Sequence, residues 1–219
     1  MIVCVVFDFD GTLVDSNQVK QTAFYHVTRA YDPGGSTVSE ILRRYPQEDR
    51  YGLTRRIAVE LTAQGRVPPQ TKTETLGAQL AEAYTATCEQ SIMTCQEVPG
   101  ASEILKWLSE KGIPAFVNSR TPTEVLKHLI ELRGLAPYLA GIYGSPHNKR
   151  ENLEAILHQL HVQPETMLFV GDSDDDLIAA FDVGCKFVGV RTDHARRFLR
   201  VPERQIDHLD RLKNLVETM

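Results

Sequence analysis

Hydrophobic residues follow two different patterns along the chain, and each predicts a different kind of structure. The run from Met1 to Phe7 is continuously apolar and rich in β-branched side chains, which is typical of a strand buried on both faces of a parallel sheet. From residue 99 to residue 190, short apolar strands alternate with helical patterns. Alternation of this kind predicts a parallel sheet flanked by helices, which is an α/β fold. The predicted strands of this second part are residues 114–119, 141–144, 167–170 and 187–190.

A helical stretch separates the first strand from the rest of the sheet. Residues 16–96 carry apolar positions at helical spacing, such as Leu53, Ile57 and Leu61, and no convincing strand. We therefore predict a helical domain of residues 16–96 inserted into a discontinuous core domain of residues 1–15 and 97–219. Within the core, a helix over residues 122–132 is predicted to begin at a Thr121 cap, with proline at its first position.

Composition narrows the class of protein. The net charge of −5 argues against a surface that binds nucleic acid over the whole protein. The four cysteines show no paired spacing for a metal and require no disulfides, which fits a reducing cytosol. We also find no signal peptide and no apolar run long enough to span a membrane. The sequence therefore predicts a cytoplasmic globular protein with no membrane partner.

Two carboxylates follow the first strand. Asp8 and Asp10 are separated by one residue and are followed by Gly11 and Thr12, which favour a sharp, locally hydrogen-bonded turn. At about 4 Å and an effective dielectric near 20, two such charges repel by roughly 4 kcal/mol. They therefore need a cation, a shared proton or separation. Taken alone, the pair is more typical of a turn in which Asp10 caps backbone amides than of a functional site.

The later strands also end on polar residues. One ends at Ser119 and Arg120, the loop after the next contains Lys149, and another leads into Asp172 and Asp176. Right-handed crossovers place these strand ends on one edge of the sheet. Carboxylates that converge there without histidine or cysteine fit Mg²⁺, which keeps several waters and also holds substrate phosphates.

These residues, in this order, resemble the four motifs of the haloacid dehalogenase-like superfamily. The resemblance rests on Asp8-Phe9-Asp10-Gly11-Thr12, on Ser119, on Lys149, and on Gly171-Asp172-Ser173 with Asp176. It covers residues 1–16 and 99–190. The position of the insert is similar to that in members with a small α-helical cap, of the phosphoglycolate phosphatase and β-phosphoglucomutase types. The resemblance implies a Rossmann-like core with an inserted helical cap.

The resemblance also implies roles for the motif residues. Asp8 is then the nucleophile that forms an aspartyl-phosphate, and Asp10 the general acid and base. Mg²⁺ is held by Asp8, Asp172 and the main-chain carbonyl of Asp10. Ser119 and Lys149 bind the phosphoryl oxygens, joined by backbone amides of the first loop.

Five further residues have expected supporting or substrate-binding roles. Gly11 and Thr12 shape the first loop, and Thr12 contacts the substrate. Asp176 positions Lys149 or a metal-bound water. Arg120 follows Ser119 and is a candidate for a substrate anion. The cap is expected to close over the sheet edge, and Arg50 is its candidate for a second anionic group on the substrate.

The expected function is a Mg²⁺-dependent phosphatase that hydrolyses a small phosphorylated metabolite. One alternative is a phosphomutase of the β-phosphoglucomutase type, which uses the same core residues. A phospho-acceptor signalling module also combines acidic residues, a hydroxyl, a lysine and Mg²⁺, but it lacks an inserted cap. A non-catalytic binding module on this fold is the remaining alternative.

Overall fold

The computed structural model describes residues 1–46, 48–191 and 198–219. It divides into two compact units. One consists of Met1–Asn17 and Cys95–Met219, and the other of Gln18–Thr94. From the sequence pattern, we predict that the chain passes from the core domain to the helical domain between residues 15 and 16, and returns between residues 96 and 97. Arg196 and Arg197, which form a basic run in the sequence, lie outside the described residues.

The first unit is built on a six-stranded sheet in which every paired strand is parallel to its neighbour. The spatial order is β3-β2-β1-β4-β5-β6, so the first strand of the chain lies near the centre. This order and direction confirm the predicted α/β, Rossmann-like sheet flanked by helices. The strands are β1 (Cys4–Phe7), β2 (Ala115–Pro122), β3 (Gly141–Ser145), β4 (Met167–Gly171), β5 (Lys186–Val190) and β6 (Gln205–Ile206).

The other regular elements of both units are helices. Those of the helical unit follow β1 in the chain, and the helices of the sheet unit connect successive strands or follow the last one. No helix in the described ranges is long and apolar enough to cross a membrane. The helices are α1 (Asn17–Thr28), α2 (Ser36–Arg44), α3 (Arg50–Ala63), α4 (Thr73–Ile92), α5 (Ala101–Glu110), α6 (Thr123–Leu132), α7 (Lys149–Leu160), α8 (Asp174–Val183) and α9 (Leu212–Thr218).

The core of the sheet unit explains why the first strand is apolar throughout. All four residues of β1 are buried, because helices cover both faces of the sheet. Cys4 and Val6 pack in one cluster with Phe116, Phe169 and Leu153. Burial of this apolar surface fixes the strand ends in space, and the candidate site lies at those ends.

The helical unit has a core of its own. Its longest helices, α3 and α4, pack on each other, and the ring of Phe24 lies 4.2 Å from that of Tyr84. The buried carboxylate of Asp32 accepts hydrogen bonds from the first-turn amides of α2, Thr37 N at 2.9 Å and Val38 N at 3.1 Å. Arg66 donates to the other oxygen of Asp32 at 2.7 Å. The unit therefore satisfies its buried charge internally.

The expected cap of α6 is wrong. The helix begins at Thr123 after Pro122, without a side-chain cap, and β2 continues through Thr121 to Pro122. The register of β2 against β3 shifts between Asn118 and Pro122. This irregular end turns the Thr121 hydroxyl towards the carboxylate of Asp10, to which it donates at 3.2 Å.

Candidate active site

Three neighbouring strands bring the polar residues together. Phe7 of β1 is level with Val117 of β2 and with Val170 of β4. The residues that follow these positions therefore leave the sheet side by side, at the carboxyl edge where ligands bind in open α/β sheets. Asp8 comes directly after β1, Ser119 lies at the irregular end of β2, and Asp172 comes directly after β4.

Three carboxylates form a compact cluster at this edge. Asp8, Asp172 and Asp176 each offer an oxygen within 4.8 Å of the others, and their side chains are buried. Burial raises the pKa of Asp8 well above its ordinary value, and the neighbouring carboxylates add to the rise. Burial and the charge of Asp176 likewise raise the pKa of Asp172 to about 7. The cluster therefore disfavours its own full ionisation without a cation beside it.

Lys149 supplies one positive charge to this cluster. It is the first residue of α7, and its buried Nζ lies 2.9 Å from Asp8 and 2.5 Å from Asp176. Burial acts to lower the pKa of Lys149, but the carboxylates of Asp176 and Asp8 outweigh it, so the pKa is raised. The lysine is therefore held as an ammonium, and one ammonium leaves part of the negative charge uncompensated.

The residues present fit Mg²⁺. The donor set contains only oxygen, as Mg²⁺ prefers, and no histidine or cysteine takes part in the cluster. Burial, together with the neighbouring carboxylates, raises the pKa values of Asp8 and Asp172, so a cation beside them would favour their ionised forms. Asp176 is already occupied by Lys149 and by Ser173, whose hydroxyl donates to it at 2.5 Å. Both oxygens of Asp176 therefore already have partners within the protein.

Asp10 is held by two hydroxyl groups. Ser16 donates to its Oδ1 at 2.6 Å, and Thr121 donates to its Oδ2 at 3.2 Å. The loop between Asp10 and Ser16 is closed by the amide of Gly11, which donates to the carbonyl of Val14 at 2.7 Å. The two hydroxyls fix the orientation of the carboxyl group. A carboxyl group held in this way suits proton transfer to and from a fixed point.

Ser119, in the last part of β2, and Thr12, in the loop after β1, each carry a hydroxyl group. Both side chains are buried. The oxygen of Ser119 accepts a hydrogen bond from the backbone amide of Thr121 at 3.1 Å, which leaves its own proton for another acceptor. Within the described ranges, the hydroxyl of Thr12 has no hydrogen-bond partner. Buried hydroxyls with spare donors can bind the oxygens of an anion.

A buried amide network fixes the start of α7. The side chain of Asn118 donates to the backbone carbonyl of Lys149 at 2.8 Å. Asn152, one turn further along α7, donates to the amide oxygen of Asn118 at 2.9 Å. Sequence reasoning missed both residues. The available signals were an amide directly before Ser119 and an amide three residues after Lys149.

Asp176 combines two tasks. With Ser173 it forms a capping box at the first turn of α8, in which Ser173 N donates to Asp176 Oδ2 at 3.1 Å. Its other oxygen accepts from Lys149. The side chain of Asp176 thus contacts both the first turn of α8 and Lys149.

The two arginines predicted to bind substrate have other contacts in the structure. Arg120 lies 3.5 Å from the carboxylate of Asp175, with 47% of its side chain exposed. Arg50 belongs to the helical unit, where it donates to Thr85 at 3.3 Å and lies over the ring of Tyr84. A role for either arginine in binding a substrate stays a prediction.

Replacing Lys149 by methionine should destabilise the fold. The change leaves Asp8 and Asp176 buried without their cation, and breaking a buried pair from one side typically costs about 3–5 kcal/mol. The measurement is urea unfolding in the presence of a chelator. Lys149→Met combined with Asp176→Asn should recover part of the loss, because one buried charge is removed with its partner.

The matched control for this prediction is Lys127→Met. Lys127 is exposed and pairs with Glu124 on the surface of α6, so its loss should cost less than about 1 kcal/mol. Equal free energies of unfolding for the two methionine variants would show that the buried ion pairs of Lys149 with Asp8 and Asp176 do not stabilise the fold.

Comparison with known proteins finds similarity over most of the chain. The family model described as "Haloacid dehalogenase-like hydrolase" matches residues 5–190. A phosphoglycolate phosphatase from Vibrio vulnificus is 27% identical over 192 residues, covering 85% of this chain and 82% of that protein. Phosphoglycolate phosphatase 1 from Pseudomonas aeruginosa is also 27% identical, covering 94% of this chain and 76% of that protein.

Solved structures agree on the fold. A putative haloacid dehalogenase-like hydrolase from Bacteroides fragilis superposes with a TM-score of 0.74 at 20% identity, covering 97% of this chain and 100% of that chain. CbbY from Rhodobacter sphaeroides, crystallised in complex with phosphate, has a TM-score of 0.73 at 21% identity. That match covers 97% of this chain and 96% of the CbbY chain.

Proposed function

The chain belongs to the haloacid dehalogenase-like hydrolase family and is a phosphatase, and we propose that it hydrolyses a small-molecule phosphate monoester through an aspartyl-phosphate on Asp8, with Mg²⁺ as cofactor. One observation carries this proposal. The buried Asp8 and Asp172 lie beside the ammonium of Lys149, and the separately held carboxyl of Asp10 follows Asp8 by two residues. This arrangement contains a nucleophile, an acid/base group and cation ligands.

Asp8 acts as the nucleophile. Its carboxylate oxygen forms a bond to phosphorus while the bond from phosphorus to the alcohol oxygen breaks. The neighbouring ammonium of Lys149 favours the ionised form of Asp8, which opposes the effect of burial. Lys149 and the hydroxyl of Ser119 are the groups that bind the phosphoryl oxygens, where negative charge is greatest in the transition state.

Asp10 moves the proton in both half-reactions. It first donates a proton to the departing alcohol oxygen. It then accepts a proton from the water that attacks the aspartyl-phosphate, so the carboxyl group returns to its starting state. The hydrogen bonds from Ser16 and Thr121 keep it oriented through both steps.

The cation is assigned to Asp8, Asp172 and the main-chain carbonyl of Asp10. When bound, Mg²⁺ offsets the charge between nucleophile and phosphate and orients the transfer. The other residues of the cluster keep its ligands in place. Asp176 holds Lys149, and Ser173 holds Asp176.

The substrate class is a small phosphorylated metabolite. The curated relatives reported above are phosphoglycolate phosphatases, so phosphoglycolate is the first monoester to test. A panel of phosphorylated metabolites, assayed for free phosphate, tests the proposal. Phosphate release from one or more monoesters is expected. Transfer of phosphate within a sugar phosphate without release of free phosphate would instead identify a mutase.

We place this activity in the cytoplasm, without a nucleic acid or membrane partner. The placement is supported by the four cysteines, all of which are free thiols. Burial raises the pKa of Cys4 and of Cys185 to about 12, so neither has the thiolate character of a redox-active cysteine.

Removing Mg²⁺ should abolish phosphate release, and the ion should also stabilise the folded protein. Binding at a hundredfold excess over Kd adds about 2.7 kcal/mol to the free energy of unfolding. Thermal unfolding with and without Mg²⁺ measures this without any substrate. Asp172→Asn should remove the increase in Tm.

The control for the metal experiment is Asp182→Asn, since Asp182 is exposed on α8 and lies outside the carboxylate cluster. It should keep the full response of Tm to Mg²⁺. If the wild-type protein kept its activity after a chelator had removed Mg²⁺, the assignment of the metal site would be wrong.

A further inference from the structure

A side-chain amide contacts one of the two carboxylates assigned to the cation. Nδ2 of Asn17 donates to Oδ2 of Asp172 at 2.6 Å, although the two residues are 155 positions apart in the chain. Asn17 is the first residue of α1 and the last residue of the first segment of the sheet unit. The bond therefore links the end of the first loop to the end of β4.

The backbone of Gly11 packs directly against this pair. Gly11 has a φ of 81°, and a Cβ at this position would collide with both Nδ2 of Asn17 and Oδ2 of Asp172. Glycine is thus required here for two reasons, the left-handed backbone and the space taken by the amide–carboxylate pair. The close packing leaves the Asp172 carboxylate little freedom to rotate.

The electrostatic surroundings of Asp172 explain what this hydrogen bond contributes. Asp172 is buried among like charges, of which Asp176 is the strongest influence. The amide of Asn17 is a neutral donor, so it stabilises the carboxylate without competing with the cation for negative charge. A carboxylate that accepts one N–H bond keeps further lone pairs for a metal.

We propose that Asn17 is a positioning residue that orients Asp172 to bind the divalent cation. This inference rests on the proposed function, because it assumes that Asp172 is a ligand of Mg²⁺. Groups that hydrogen-bond to metal ligands from behind fix the orientation of those ligands, and their loss typically weakens metal binding about 10-fold to 100-fold. Asn17 does not touch the substrate or the reacting atoms in this proposal.

The test is calorimetric titration of the substrate-free protein with Mg²⁺ alone. Asn17→Ala should raise the Kd for Mg²⁺ by about 10-fold to 100-fold. The matched control is Gln18→Ala, because Gln18 is the exposed neighbour of Asn17 on α1. It should bind Mg²⁺ with the wild-type Kd. Asn17→Ala should also regain wild-type kcat when Mg²⁺ is saturating, a split that general damage to the fold would not give.

The outcomes separate this inference from the proposal on which it rests. If wild-type protein binds no Mg²⁺, the proposed metal site is wrong. If wild-type protein binds Mg²⁺ and folded Asn17→Ala binds it equally well, the metal site stands and the role of Asn17 is refuted. Should Asn17→Ala fail to fold, Asn17→Ser decides. Its short hydroxyl does not reach as far as the amide, so a wild-type Kd in this variant would overturn the inference.

Discussion

Asp8→Asn is expected to lower phosphate release by at least about 10⁴-fold, because an uncharged amide cannot form the aspartyl-phosphate. Such a loss corresponds to about 5.4 kcal/mol of transition-state stabilisation. The change is nearly isosteric, and it removes one of three crowded, buried carboxylates while Lys149 keeps Asp176 as a partner. The variant should therefore stay folded. The measurement is release of phosphate from p-nitrophenyl phosphate, together with circular dichroism.

The structure offers a conservative control for this experiment. Asp182→Asn makes the same chemical change at an exposed position of α8, outside the cluster. It should retain wild-type turnover. Near-normal turnover in Asp8→Asn would show that another residue attacks the phosphate, whatever the behaviour of the control.

Asp10→Asn should produce a loss that depends on the leaving group. Positioned acid/base groups typically contribute about 10²–10⁴-fold, and an alkyl phosphate needs the full contribution because its alcohol must be protonated as it departs. p-Nitrophenolate departs without a proton, so the first half-reaction with p-nitrophenyl phosphate should be much less affected. The second half-reaction still lacks its base. Phosphorylated enzyme should therefore accumulate with the aryl substrate.

This prediction is measured by rapid quenching and mass spectrometry of the intact protein. The variant should show a burst of p-nitrophenol equal to the amount of enzyme, and a protein mass increased by one phosphoryl group on Asp8. Equal losses for aryl and alkyl substrates, without accumulation of phosphorylated protein, would exclude Asp10 as the proton donor to the leaving group.

The sequence was sufficient for the fold because the relevant signals are local. A doubly buried strand at the start of the chain and strict alternation after residue 99 follow from hydrophobic spacing alone. The α/β fold and the family resemblance are confirmed by the parallel sheet and by the match over residues 5–190. Asp8, Ser119 and Asp172 are found at strand ends because parallel strands place their carboxyl ends on one edge.

The contacts that orient these residues could not be predicted in the same way. Asn17 and Asp172 are 155 positions apart in the chain, and no local sequence pattern predicts their hydrogen bond. Thr121 reads as a helix cap, yet the shifted register at the end of β2 directs its hydroxyl to Asp10. Asn118 lies next to a motif residue, but its bond to the carbonyl of Lys149 depends on where α7 begins. Each of these details depends on tertiary geometry rather than on spacing.

The central position of β1 has a consequence for how the molecule unfolds. Its backbone hydrogen bonds with β2 on one side and β4 on the other, so exposing the amides of residues 4–7 requires both ladders to open. Opening of such a strand has a free energy close to that of global unfolding, whereas the two-residue edge strand β6 can open at much lower cost. Asp8 thus directly follows the segment that we expect to exchange its amide protons last. In rising denaturant, enzymatic activity should persist until the whole sheet unit unfolds.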